Sequence, residues 1–123
     1  MIISLTYFRN YGIAFSIKYK YWIIIGINIL LLLAIAYLGY KERKNKSLLI
    51  PLIIVFSGGL SNLIERLIVG YVTDYIKINL FNFPIFNLAD IYVTIGTIFF
   101  AINYIRYYIK NEKNQTKGWW KYL

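Results

Sequence analysis

Residues 21 to 40, YWIIIGINILLLLAIAYLGY, are twenty in a row without a charge. A helix rises about 1.5 Å per residue, so such a run reaches about 30 Å, the thickness of a bilayer's hydrocarbon core. Two more segments share this character. Residues 48 to 64, LLIPLIIVFSGGLSNLI, carry no charge until Glu65. Pro51 lies near their start, where the first turn of a helix tolerates it. Residues 91 to 109, IYVTIGTIFFAINYIRYYI, hold one charge, Arg106, close enough to the end to snorkel toward headgroups. A soluble chain would need somewhere to hide all three. The pattern predicts transmembrane helices over 21–40, 48–69 and 89–109, within a single domain spanning residues 1–123.

The chain is 59% apolar, 20% aromatic and carries a net charge of +9. A high positive charge also marks nucleic-acid binders, but their Lys and Arg spread over a folded face, whereas here long stretches have none. No nucleic-acid partner is expected. Short cytoplasmic segments retain Lys and Arg, so the basic residues set the orientation. With three spans, Lys41, Arg43, Lys44 and Lys46 lie on the same side as Arg106, Lys110, Lys113, Lys117 and Lys121. The opposite side has only Arg9, Lys18, Lys20, Arg66 and Lys77. This bias puts residues 110–123 in the cytoplasm as a tail, and residues 1–20 and the loop 70–88 outside it. The N-terminus MIISLTYFRNYG has neither an early basic region nor a long apolar core, so no cleavable signal peptide is expected.

The chain has no cysteine and no histidine. That removes disulfides, thiolate chemistry, the Ser-His-Asp triad, the Cys-His pair and the commoner zinc sites. Carboxylates, Ser with Lys, and backbone remain. Of five acids, Glu42 and Glu112 sit among lysines at the cytoplasmic ends, where they read as solvated charge balance. The other three are placed differently.

Asp74 lies in YVTDYIKI, residues 71–78. As a strand this segment puts Val72, Asp74, Ile76 and Ile78 on one face, so a carboxylate falls among apolar side chains that disfavour its charge. A turn-edge residue accepting backbone N–H groups is the alternative reading. Asp90 ends FNLAD, residues 86–90, where Asn87 suits an N-cap and Asp90 the N3 position, facing the positive end of the helix dipole. Capping alone explains it, yet capping and catalysis are compatible. Two aspartates close together in a poorly hydrated place share a proton, and such a pair can hydrolyse a peptide bond without His, Cys or metal. In SNLIER, residues 61–66, Asn62, Glu65 and Arg66 fall at i, i+3, i+4, one polar face at the helix end. That face reads either as an interfacial ion pair or as a brace around the carboxylates. Gly58 and Gly59 favour close packing of a neighbouring helix over that of a substrate helix.

Four blocks in order resemble the lipoprotein signal peptidases (signal peptidase II), aspartic proteases of the bacterial inner membrane. NYGIAFS at 10–16 looks like that family's Asn-x-Gly-x-Ala-Phe block, and GGLSNLIERL at 58–67 like its Gly-x-x-x-Asn-x-x-Asp-Arg helix. GYVTDYI at 70–76 and FNLAD at 86–90 look like its two aspartate blocks. The resemblance implies that Asp74 and Asp90 are the catalytic pair. It further implies that Asn10, Asn62, Arg66 and Asn87 line or brace the site, and that Gly12 admits the substrate backbone. It implies a diacylglyceryl-modified prolipoprotein as substrate, cut before the lipidated cysteine, at the extracytoplasmic surface. Membrane lipids would surround a monomer, with no cofactor or metal. The implied fold is an all-α integral membrane protein with a small extracytoplasmic β-sheet cradle built from segments near 2–9 and 70–78.

Three departures accompany the resemblance. The family usually has a fourth transmembrane helix at the N-terminus, carrying an aspartate and a lysine, and this chain begins after it. A late-assigned start or a shortened version would account for that. Glu65 stands where the family usually has Asp, and Phe15 to Tyr21 looks short for the family's surface helix. Three other readings stay open: an inactive homologue that binds lipidated peptides, a cation or proton relay through Glu65, Asp74 and Asp90, and a Ser-Lys protease using Ser57 or Ser61 with Lys77.

Overall fold

The computed structural model describes residues 2–10, 18–80 and 84–116. In chain order they form strand β1 (Ile3–Asn10), helix α1 (Lys18–Lys41), helix α2 (Lys46–Val69), strand β2 (Val72–Ile78) and helix α3 (Leu88–Thr116). All three helices are long and apolar enough to cross a membrane. Their apolar side chains point mostly outward: Trp22, Leu30, Leu33, Ile53, Ile68, Ile98 and Phe99 are all more than half exposed. Such a surface suits hydrocarbon and not water.

The central helix is α2, which packs on α1, on α3 and on β2, whereas α1 and α3 do not touch among the described residues. Glycines set how closely the helices approach. A Cβ on Gly58 would stand 2.5 Å from the Ala89 carbonyl oxygen, and one on Gly96 would stand 2.9 Å from that of Pro51. Small residues at both ends of the α2–α3 seam therefore bring the two backbones together. Gly59 receives Leu32 of α1, and the cluster of Ile25, Leu32 and Leu63 fills the α1–α2 contact. The expectation of helix packing at Gly58 and Gly59 is borne out.

Pro51 lies inside α2, past the first turn in which it was expected. Lacking an N–H, it leaves the Ser47 carbonyl without its helical donor. The Asn103 side chain of α3 supplies one, at 2.7 Å. The other end of α2 stops at Gly70, whose left-handed backbone (φ 85°) lets its N–H bond the Arg66 carbonyl. Helix α1 starts at Lys18 and α3 runs to Thr116, both beyond the apolar spans, because Lys, Asn, Glu and Gln at those ends continue a helix in water.

Strands β1 and β2 pair antiparallel. Ile3, Ser4 and Leu5 face Ile78, Lys77 and Ile76, while Phe8, Arg9 and Asn10 face Asp74, Thr73 and Val72. Thr6 and Tyr7 thus oppose the single residue Tyr75, a one-residue bulge. A bulge moves every later side chain to the other face. Asn10, which the unbulged register would turn away, shares a face with Val72 and Asp74. On the far edge of β2, Phe86 bridges Ile76, returning the chain to the sheet just before α3 begins. The sheet and the start of α3 therefore meet at the end of α2 that carries Asn62, Glu65 and Arg66.

Candidate active site

Asp74 is 1% exposed, on the same face of β2 as the buried Val72, as strand alternation predicts. Among the described residues its carboxylate accepts no backbone N–H, contrary to the turn-edge reading. Oδ2 accepts from Asn10 Nδ2 at 2.9 Å and Oδ1 from Asn87 Nδ2 at 2.9 Å. The Asn10 contact is a diagonal pair across the two strands and depends on the bulge in β1. Burial pushes the Asp74 carboxyl above the usual carboxylate range. The Asn10 bond opposes this, the Asp90 charge adds to it, and the Asn87 bond and the Arg66 charge oppose it.

Asp90 sits in the first turn of α3. Asn87 Oδ1 accepts from the Asp90 N–H at 3.0 Å, and Asp90 Oδ2 accepts from the Asn87 N–H at 3.1 Å. These two bonds are the capping box that the spacing predicts, with Asp in place of Glu or Gln. The other oxygen of Asp90 accepts from Asn62 Nδ2 at 3.0 Å. Asn87 also donates to Asn62 Oδ1 at 3.1 Å. One asparagine therefore touches Asp74, Asp90 and Asn62 at once, and it is itself 4% exposed.

Both carboxylates open onto one groove of about 440 Å³, walled otherwise by Asn10, Thr94 and apolar residues including Ile78, Ile85, Phe86, Ile91 and Ile95. Arg66 stands close enough to influence Asp74 electrostatically, and its Nε is buried with no hydrogen-bond partner among the described residues. Its backbone carbonyl is held by the Tyr21 hydroxyl at 2.7 Å, tying α1 to the site. Asn10, Asn62, Arg66, Asp74, Asn87 and Asp90 thus all converge. Gly12 and residues 15–17 of the segment from Phe15 to Tyr21 lie outside the described residues.

Glu65 behaves differently from the interfacial ion-pair reading: its Oε1 accepts from the Thr73 N–H at 2.8 Å, joining α2 to β2. Sequence reasoning also missed the Tyr75 hydroxyl, which accepts from the Leu88 N–H at 3.1 Å. Strand alternation already set Tyr75 opposite Asp74, but nothing local shows that this face meets α3. The Ser-Lys pair is not assembled. Ser57 donates to the Ile53 carbonyl, Lys77 is exposed on β2, and it does not border the cavity that Ser57 and Ser61 line. A transmembrane relay through Glu65, Asp74 and Asp90 is not favoured, because among the described residues these three gather at one end of the helices. Among the described residues, no three His, Cys, Asp or Glu side chains form a metal-binding group.

The chain as a whole resembles known proteins. The profile of a family described as Signal peptidase (SPase) II matches residues 1–106. The chain is similar to the lipoprotein signal peptidase of Streptococcus agalactiae serotype Ia, 48% identical over 99 residues, which are 79% of this chain and 64% of that protein. It is 39% identical to that of Streptococcus thermophilus, over 79% of this chain and 65% of the relative. The chain therefore spans slightly less than two thirds of the length of these relatives. It is also similar to a solved bacterial membrane enzyme, with a TM-score of 0.73 and 33% identity over 85% of this chain and 66% of the other. A second such structure gives 0.71 and 36% identity over 82% and 68%.

Proposed function

This chain belongs to the signal peptidase II family, and from that premise we propose that it is a membrane aspartic endopeptidase acting on prolipoproteins. The observation that carries the aspartic assignment is the Asn87 side chain, which holds Asp74 while capping the helix turn that carries Asp90. Two carboxylates so fixed beside one groove suit a pair that shares a proton. Burial favours Asp74 as the proton's site, so Asp74 is the acid and Asp90 the base.

In the first step Asp90 takes a proton from water as the water oxygen bonds to the scissile carbonyl carbon. Asp74 gives its proton to the carbonyl oxygen, forming a neutral tetrahedral intermediate. Collapse returns the hydroxyl proton to Asp74, passes the Asp90 proton to the leaving nitrogen and breaks the C–N bond. The free Nε–H of Arg66 and the amides of Asn10 and Asn62 hold the substrate backbone or brace the pair, and Gly12 admits that backbone.

The substrate is a prolipoprotein whose cysteine already carries a diacylglyceryl group, cut just before that cysteine. The groove's apolar walls and the exposed apolar helices suit such a substrate, with its signal helix and lipid tails in the bilayer. The chain works as a monomer among membrane lipids of the bacterial inner membrane. It forms one peptidase domain, with residues 1–20 and 70–88 outside and 110–123 in the cytoplasm. The test is to incubate the purified chain with one prolipoprotein in diacylglyceryl-modified and unmodified form. Release of the signal peptide from the modified form alone is expected. Equal cleavage of both would refute the lipid requirement, and cleavage of neither would refute the function.

A further inference from the structure

Strand β2 carries Asp74 and is held along both edges. One edge pairs with β1. On the other, the Phe86 carbonyl accepts from the Tyr75 N–H at 2.9 Å and the Ile76 N–H at 2.8 Å. Thr73, the residue before Asp74, gives its N–H to neither neighbour: it donates to the Glu65 carboxylate at 2.8 Å. Glu65 stands in the last turns of α2, one residue from Arg66 and one turn from Asn62, so it belongs to the same rigid segment as two other site residues. Between Glu65 and Thr73 the chain reverses through the left-handed Gly70. A reversal pivoting on glycine has little stiffness of its own.

Building on the proposed peptidase function, we infer that Glu65 is a positioning residue for the reaction: its carboxylate clasps β2 at Thr73 and so fixes Asp74 relative to the helix that bears Asn62 and Arg66. The clasp and the Phe86 bridge bracket Asp74 on the same edge, at residue 73 and at residues 75 and 76. Without the clasp, the β1 pairing and the burial of Val72 are left to restrain the strand on the α2 side of Asp74. Glu65 does not touch the groove that the two aspartates share; it borders the neighbouring cavity, with Ser61 and Thr73. Its effect on the reaction is therefore carried through the backbone. The role requires an acceptor at the right reach, and not a charge.

The test compares Glu65→Gln, which keeps the acceptor oxygen and the length, with Glu65→Met, which keeps the length and loses the acceptor. Amide hydrogen exchange on the full chain in micelles reads the clasp directly. Glu65→Met should speed exchange at Thr73 about tenfold or more while leaving Tyr75 and Ile76 unchanged, and Glu65→Gln should keep the wild-type protection. In prolipoprotein cleavage, Glu65→Met should lower kcat about 30-fold or more with KM within about threefold, since a displacement of this kind acts on the chemical step. Glu65→Gln should recover kcat to within about threefold of wild type. Unchanged exchange at Thr73 in Glu65→Met, or equal kcat in the two variants, would overturn the inference. The exchange contrast needs no substrate, so a chain without peptidase activity would refute the proposed function separately.

Discussion

Asn87 joins Asp74, Asp90 and Asn62, and replacing it separates two of its roles. Its side-chain oxygen caps α3 through the Asp90 N–H, and its Nδ2 supplies donors to Asp74 and to Asn62. Losing an N-cap costs about 1 kcal/mol. Losing a donor to a buried acceptor costs about 1–3 kcal/mol, and two acceptors are affected. Because Asn87 is 4% exposed, water cannot readily take its place. Asn87→Ala should therefore destabilise the fold by about 3–7 kcal/mol. Asn87→Ser keeps a capping oxygen and loses both donors, so it should cost about 1 kcal/mol less than the alanine variant. Equilibrium unfolding in mixed micelles measures both. If the two variants are equally stable, the capping role is wrong; if both lie within about 0.5 kcal/mol of wild type, so is the network.

Two further outcomes follow from the structure. The native pKa of Asp74 lies above its ordinary value of 3.8, so between those two values the folded chain holds a proton that the unfolded chain has lost. Stability from this group is complete below the ordinary value and falls as pH rises through the native one. Unfolding measured against pH should show that decline in wild type and a flatter profile in Asp74→Asn; parallel profiles would contradict the assignment. Asn103→Leu removes the donor to the exposed Ser47 carbonyl left open by Pro51, at a cost of about 0.5–1.5 kcal/mol. Pro51→Ala restores the helical donor, so the same Asn103 substitution should cost less in that background. Additive effects would show that the two residues are not coupled.

The membrane-spanning architecture was legible because absence of charge over twenty residues is a local property that hydrocarbon reads directly. The buried face of β2 and the cap formed by Asn87 and Asp90 were equally local, set by periods of two and three residues. What was missed is non-local. The bulge at Thr6 and Tyr7 turns Asn10 toward Asp74, and an exposed strand such as β1 has no apolar alternation that would reveal its register. Glu65 looked like one half of an ion pair with its neighbour Arg66, yet its partner is a backbone N–H eight residues on, across the Gly70 reversal. The Asn103 contact is invisible for the same reason: its partner is a carbonyl orphaned by a proline on another helix. Helices α1 and α3 run past the apolar spans, to Lys18 and Thr116, because hydropathy marks where the membrane stops and not where the hydrogen bonding does.

The central claim is that Asp74 and Asp90 act together on the scissile bond. It is tested most directly by measuring cleavage of a diacylglyceryl-modified prolipoprotein by wild type, Asp74→Asn and Asp90→Asn, each first shown to be folded by its unfolding midpoint. Both variants should lose about a hundredfold or more in rate, as expected when a general acid or base is removed. A folded variant of either aspartate that cleaves at the wild-type rate would contradict the account.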